Sequence, residues 1–298
     1  MAQIFSNRNF ILVLSFVTGF LFSDLANYTT HLTIPVLAVI FTVSITQVNI
    51  EDILPLKTLI RPFMWSVFFS YIILGSLSLG LAWLLLPEEY WVGYAIIAAS
   101  PPGAAIMPFT YVRSGNIPFS LMGTFTTYLS ALVITPALLF IITGGVLVSP
   151  LNLFLTMFQI ILIPFIISRL IIKFDLTPHI EKWRSIIINW GFFVVIFTVV
   201  GLNREVFFTE PTILLRVCLI AVLTTFVLGA LVEYFSDKTG YFSGKENISL
   251  ALISTIKNMG FASTLAITFF EDIASVPAAI TAAVYALYFI YLGITAKE

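Results

Sequence analysis

Long apolar runs, separated by short clusters of charged and turn-forming residues, recur along the whole chain. They predict ten membrane spans, at residues 9–24, 32–48, 62–86, 90–112, 117–146, 150–172, 185–203, 212–235, 247–270 and 273–295. The first run is short for a hydrocarbon core about 30 Å thick, so it is expected to lean on neighbours or to sit off-centre. Asp24, Asn27 and Tyr28 follow its apolar stretch, Phe10 to Ser23, where a cleavable signal would place small residues, so it reads as a retained helix. Two runs carry internal breaks. In the fourth, Ser100-Pro101-Pro102-Gly103 sets two residues without a backbone donor side by side and disfavours helix before them. In the ninth, Lys257 lies near the middle of an apolar stretch and is followed by Asn258 and Gly260, both poor helix formers. A lysine at mid-membrane costs roughly 2.5–3.5 kcal/mol on insertion scales, which points it toward protein or a water-filled cavity. Each of these runs therefore predicts two half-helices meeting at a break.

Composition agrees with the pattern. The chain is 59% hydrophobic and 10% charged, against about 45–50% and 25% in soluble domains, so it reads as an all-α integral membrane protein. A formal net charge of −1 supplies no basic patch and excludes nucleic acid as a partner. One cysteine and two histidines leave neither a zinc cluster nor an intrachain disulfide. Cys218 reads as a packing residue, and His31 and His179 as solvated loop residues. Glu88-Glu89 and Glu271-Asp272 are adjacent carboxylate pairs in predicted turns. With no nucleophile motif or phosphate loop, the sequence predicts neither enzymatic activity nor a cofactor.

The basic residues sort by side. With ten spans both termini share a side, and that side holds Arg8, Lys57, Arg61, Arg113, Arg169, Lys173, Lys182, Arg184, Lys238, Lys245 and Lys297. Those are eleven of the fourteen, with Arg204 and Arg216 opposite and Lys257 inside the membrane. The positive-inside rule then places both termini in the cytoplasm.

The sequence VIFTV occurs at Val39–Val43 and again at Val195–Val199, an offset of 156. The same offset carries Lys257 onto Pro101, so both breaks fall at one repeat distance. Five spans per half is an odd number, and the halves, 1–146 and 147–298, must then run in opposite senses. Inverted repeats with a broken helix in each half are the plan of many secondary transporters, whose site lies near the midplane where the breaks meet. Half-helix C-termini offer carbonyls to a cation there, and half-helix N-termini offer amides to an anion.

At this point the chain resembles the bile acid:sodium symporter family and its bacterial homologues. Ser100-Pro101-Pro102-Gly103, Thr110-Tyr111, Gly115-Asn116, Thr135-Pro136 and Lys257-Asn258-Met259-Gly260 fall in the order and spacing of that family's elements. The resemblance implies a panel of helices 1, 2, 6 and 7, and a core of helices 3–5 and 8–10 in which discontinuous helices 4 and 9 cross. It further implies alternating access, a bacterial inner membrane location, and a small organic anion carried with sodium. Asn258 occupies the position of a family asparagine that contacts substrate, and the backbone of Pro102, Gly103, Ala104 and Ala105 is expected to contribute.

The departures bear on coupling. Where the family's sodium ligands stand, this chain has Ile253, Lys257, Ile106 and Met107. Loss of a carboxylate and gain of an ammonium argue against ordinary sodium coupling. Lys257 is expected to replace the cation, bonded to the carbonyls of its own preceding half-helix or to the hydroxyls of Thr126, Thr127 and Ser130, which are the auxiliary polar candidates. Sequence leaves open whether it is a fixed charge or a proton carrier. In the family the end of helix 10 bears a polar pair; here it reads Phe289-Ile290-Tyr291. Three other readings stay open: a non-transporting receptor on the same fold, a sodium-coupled symporter with a rearranged ion site, and a relative of auxin or arsenite carriers. The lone Cys218 gives the arsenite reading no thiol site.

Overall fold

The computed structural model describes residues 8–46, 57–103, 105–144 and 149–295. Among them the main helices are, in order, α1 (Arg8–Leu21), α2 (Ser23–Ile45), α3 (Leu59–Leu85), α4 (Trp91–Ala99), α5 (Ile106–Val112), α6 (Ile117–Ile142), α7 (Leu151–Lys173), α8 (Arg184–Leu202), α9 (Pro211–Thr239), α10 (Gly244–Ile253), α11 (Met259–Phe269) and α12 (Asp272–Ile294). Seven of these, α2, α3, α6, α7, α8, α9 and α12, are long and apolar enough to cross a membrane by length and composition. Paired extended backbone among the described residues is confined to one isolated bridge.

The two interrupted runs do not form continuous helices. Helical pairing stops at Ala99 and resumes at Ile106, and stops at Ile253 and resumes at Met259. The second run differs from expectation, since α2 begins nine residues earlier than 32. Its polar start stays helical because hydroxyls turn back onto the backbone: Thr29 Oγ1 donates to Ala26 O (2.9 Å) and Thr33 Oγ1 to Thr30 O (2.8 Å). Thr29 also shares a 2.6 Å hydrogen bond with Thr198 of α8. His31 consequently lies in a tight helical turn and His179 in the short helix Thr177–Glu181, rather than in loops. The ends of the second and fifth predicted spans fall on residues 47–48 and 145–146, outside the described residues.

Local chemistry sets the helix starts. Asn116 Oδ1 accepts from Phe119 N at 3.0 Å to open α6, and Ser243 with Glu246 forms a reciprocal capping box at α10. Gly240, at φ 62°, closes α9 in the left-handed conformation that a side chain would resist. Glu246 also pairs with Arg61 at 3.1 Å, and Arg113 pairs with Glu233 at 3.1 Å, tying α3 to α10 and the end of α5 to α9.

Packing divides the helices by neighbour. α8 packs against α1 and α2, and α2 in turn against α7. α3 packs on α4 and α6, α9 on α10 and α12, and α11 on α12. Among the described residues α3, α7 and α9 each contain a π turn, at Phe68–Leu74, Phe158–Leu162 and Leu223–Val227. Those of α3 and α9 open at positions 155 apart (223 − 68).

Candidate functional site

The two breaks lie against each other. After α4 the backbone extends at Ser100 (ψ 147°), and the prolines that follow cannot donate. Gly103 N donates to Ile256 O and Asn258 N donates to Pro101 O, both at 2.9 Å, which makes an antiparallel bridge between Pro102 and Lys257. The pair of bonds is exchanged by one shift, since Gly103 to Asn258 and Pro101 to Ile256 are each 155 positions (258 − 103 and 256 − 101). Gly103 is needed for this approach: a Cβ there would meet Lys257 O and Ile256 Cγ2 at 2.8 Å.

Lys257 is 2% exposed. Its Nζ donates to Ser100 O at 2.6 Å and to Ala98 O at 2.9 Å, and lies 4.2 Å from the centre of the Tyr71 ring. An ammonium has three donors, and two carbonyls with an aromatic face satisfy it without a carboxylate. The acceptors belong to the C-terminal end of α4, where the aligned peptide dipoles leave about half a negative charge. The other carbonyls there are also met: Ile96 O by Ser100 N and Oγ, Ala99 O by Thr135 Oγ1 (2.7 Å) and Pro101 O by Asn258 N. The side chain thus links the second break to the carbonyl end of the helix that precedes the first.

The start of α11 is capped by Asn258. Asn258 Oδ1 accepts from Phe261 N at 3.0 Å as the N-cap, and its Nδ2 donates to Tyr128 Oη at 3.0 Å. Tyr128, on α6, packs edge-on to Phe41 of α2 with ring centres 4.7 Å apart. Tyr285 of α12 supports the second break, its Oη accepting from Lys257 N (2.8 Å) and donating to Thr255 O (2.9 Å).

Two cavities flank the crossing. The larger, about 540 Å³, runs from Asn258 and Tyr128 to the ends of α2 and α5 and the starts of α6 and α8, where Ile45, Tyr111, Ile117 and Arg184 lie. The smaller, about 60 Å³, is lined by Gly103, Lys257, Gly260 and Tyr285 among others. Asn258, Phe192 and Ala105 border both.

A cavity beside hydrogen-bonded crossing breaks suits a transporter, and the sequence profile of the Sodium Bile acid symporter family matches residues 34–210, more than half of the chain. The chain belongs to that family. It is an integral membrane transport protein, not an enzyme. Over 274 residues it is 29% identical to a Bacillus subtilis (strain 168) protein named "Uncharacterized sodium-dependent transporter YocS", covering 89% of this chain and 82% of the relative. Over 89 residues it is 32% identical to "Probable sodium/metabolite cotransporter BASS1, chloroplastic" of Oryza sativa subsp. japonica, covering 30% of this chain and 22% of that protein.

Within this family setting the expected site residues divide. Pro102, Gly103, Lys257 and Asn258 meet at the crossing, and Ala105 borders both cavities. Ala104 lies outside the described residues. Thr126, Thr127 and Ser130 do not meet the ammonium. Their hydroxyls donate to the α6 carbonyls of Met122, Gly123 and Thr127, respectively. Nor does Lys257 bond to the half-helix that precedes it, because the crossing presents the carbonyls of α4 to its side chain instead. Ile253 and Ile106 are fully buried, Met107 borders the large cavity, and Phe289 stacks on Phe109 with centres 4.8 Å apart while Ile290 and Tyr291 are exposed. Sequence reasoning missed Tyr71, Tyr128 and Tyr285. The available signal was a tyrosine far from either end of an apolar run, where its hydroxyl must find a protein partner.

Proposed function

We propose that the chain is a secondary transporter that carries a small organic anion by alternating access, with Lys257 serving as a resident cation in place of a coupled sodium ion. The observation that carries this reading is the ammonium bonded to Ala98 O and Ser100 O where the two breaks cross. In this reading ten spans form two inverted five-helix repeats, 1–146 and 147–298. Helices α1, α2, α7 and α8 form a panel that the remaining helices move against as a core. The common distance of 155 between the π turns of α3 and α9 and between the crossing bonds supports the repeat. The large cavity meets the side bearing Arg61, Arg113 and Arg184, which the positive-inside rule makes cytoplasmic, so this conformation faces inward. Asn258, Ala105 and the backbone at Pro102 and Gly103 would meet the substrate at the inner end, with Ala104 continuing that stretch of chain. Thr126, Thr127 and Ser130 stay auxiliary, and Lys257 is read as a fixed charge, a reading supported by the Tyr71 ring face 4.2 Å from its Nζ.

The names of both relatives include sodium, which favours a second reading: a sodium-coupled symporter with a rearranged ion site. Proteoliposomes separate the two. Counterflow of labelled carboxylates is measured with sodium, and with choline in its place. The proposal expects exchange to persist in choline and to fall in Lys257→Ala. Flux that requires sodium and is unchanged in Lys257→Ala would overturn it, and binding without exchange would indicate a receptor.

A further inference from the structure

The large cavity has polar groups at both ends and an apolar middle. At the inner end Asn258 and Tyr128 are hydrogen-bonded to each other, and the N-terminal amide of Phe261 is taken by Asn258 itself. The Lys257 ammonium is committed to α4 and does not border this cavity. The inner end is therefore neutral and its nearest charge is occupied. The middle is built mainly from Phe41, Phe125, Leu129, Ile161 and Phe165, with Thr124 and Asn189 as uncharged polar exceptions. Among the described residues that line the cavity, Arg184 carries the single formal charge, and it stands at the opposite end.

The guanidinium is incompletely used. Nη1 pairs with Glu181 at 3.1 Å, but that carboxylate side chain is 66% exposed, and exposed pairs are weak and exchangeable. Nη2 reaches Thr46 Oγ1 at 3.3 Å, a long contact, and Nε is buried without an acceptor. A carboxylate that displaced the long Thr46 contact would pair with Nη2 and, once the side chain turns, with Nε as well, giving two parallel charge-assisted bonds. Arg184 and Phe192 are eight residues apart on α8, which spaces the two ends by about 12 Å.

We infer that Arg184 is the residue that reads the anion, so that a monoanionic molecule with an apolar body lies with its charged end at Arg184 and its uncharged end at Asn258 and Tyr128. This rests on the cavity being the transport site, and it reverses the orientation in which the anion meets the helix ends at the crossing. A purely structural role is the competing account. Arg169 makes a comparable contact, its Nη2 donating to Ile45 O at 2.7 Å beside Thr46, yet it does not line the cavity. It is the matched control.

The test uses full-length protein in nanodiscs with tritiated 5-phenylpentanoate and its neutral amide as probes, read by scintillation proximity against empty nanodiscs. The native protein is expected to prefer the carboxylate by roughly 10-fold or more, the order expected of a hydrogen-bonded charge pair. Arg184→Gln should bring the preference near unity and Arg169→Gln should leave it intact. Arg184→Lys keeps charge without the fork and should retain a reduced preference; it decides the matter if the glutamine variant does not fold. A native protein with no carboxylate preference, or a preference untouched by either Arg184 variant, would overturn the inference. Counterflow of the same probe is measured in parallel. Its absence beside an Arg184-dependent preference would remove the transporter reading and keep the anion anchor.

Discussion

Truncating Lys257 to alanine removes an ammonium from between Ala98 O, Ser100 O and the Tyr71 ring. Two carbonyls lose a donor, at about 1–3 kcal/mol each. Against that, the ammonium no longer has to be desolvated, a penalty of several kcal/mol. These polar terms nearly cancel, so their sum is within about 2 kcal/mol of zero. The lost packing of the stem does not cancel, and by comparison with other large-to-small core changes it costs about 2–4 kcal/mol. Lys257→Met, which keeps the stem and loses the charge, should therefore unfold near the native temperature, and Lys257→Ala several degrees lower. The alanine variant also leaves space beside the carbonyl end of α4, whose partial negative charge is now unopposed. If the ammonium stands in for a metal cation, sodium should enter that space. For a Kd of about 10 mM, 100 mM sodium would stabilise the variant by about 1.4 kcal/mol. Unfolding followed by tryptophan fluorescence in sodium chloride and in choline chloride at equal ionic strength reads this directly. Sodium should raise the transition of the alanine variant and not that of the native protein. Equal stabilisation of both, or of neither, would refute the reasoning.

Two further outcomes follow from the same crossing. Gly103→Ala places a methyl 2.8 Å from Lys257 O, a backbone atom that cannot swing aside; the variant should lose about 1–3 kcal/mol, seen as a lower unfolding temperature, and counterflow should fall with it. Tyr285→Phe leaves Lys257 N and Thr255 O without their shared partner and should cost about 1–3 kcal/mol for the orphaned groups, with faster amide hydrogen exchange confined to the segment between α10 and α11.

What the sequence determined by itself is what depends on local chemistry. Apolar runs in a bilayer must be helical, because lipid offers backbone groups no partner. Consecutive prolines must interrupt a helix, because they lack donors, and the break at Pro101-Pro102 follows from nothing beyond those two residues. Lys257 could likewise be read as a group that avoids lipid, because its cost there does not depend on the fold. The sequence could not say which acceptors it meets. Its own preceding half-helix and the hydroxyls of Thr126, Thr127 and Ser130 were the near candidates, and those hydroxyls turn back onto α6. The carbonyls of Ala98 and Ser100 lie 159 and 157 positions away along the chain. They reach the ammonium only because Gly103 lets the two breaks pair at 2.9 Å. Tyr128, Tyr285 and Arg184 belong to the same class, ordinary residues of apolar helices or helix ends in the sequence. Only the packing of α6, α8 and α12 around the crossing sets one against Asn258, one against the Lys257 amide and one at the charged end of a cavity.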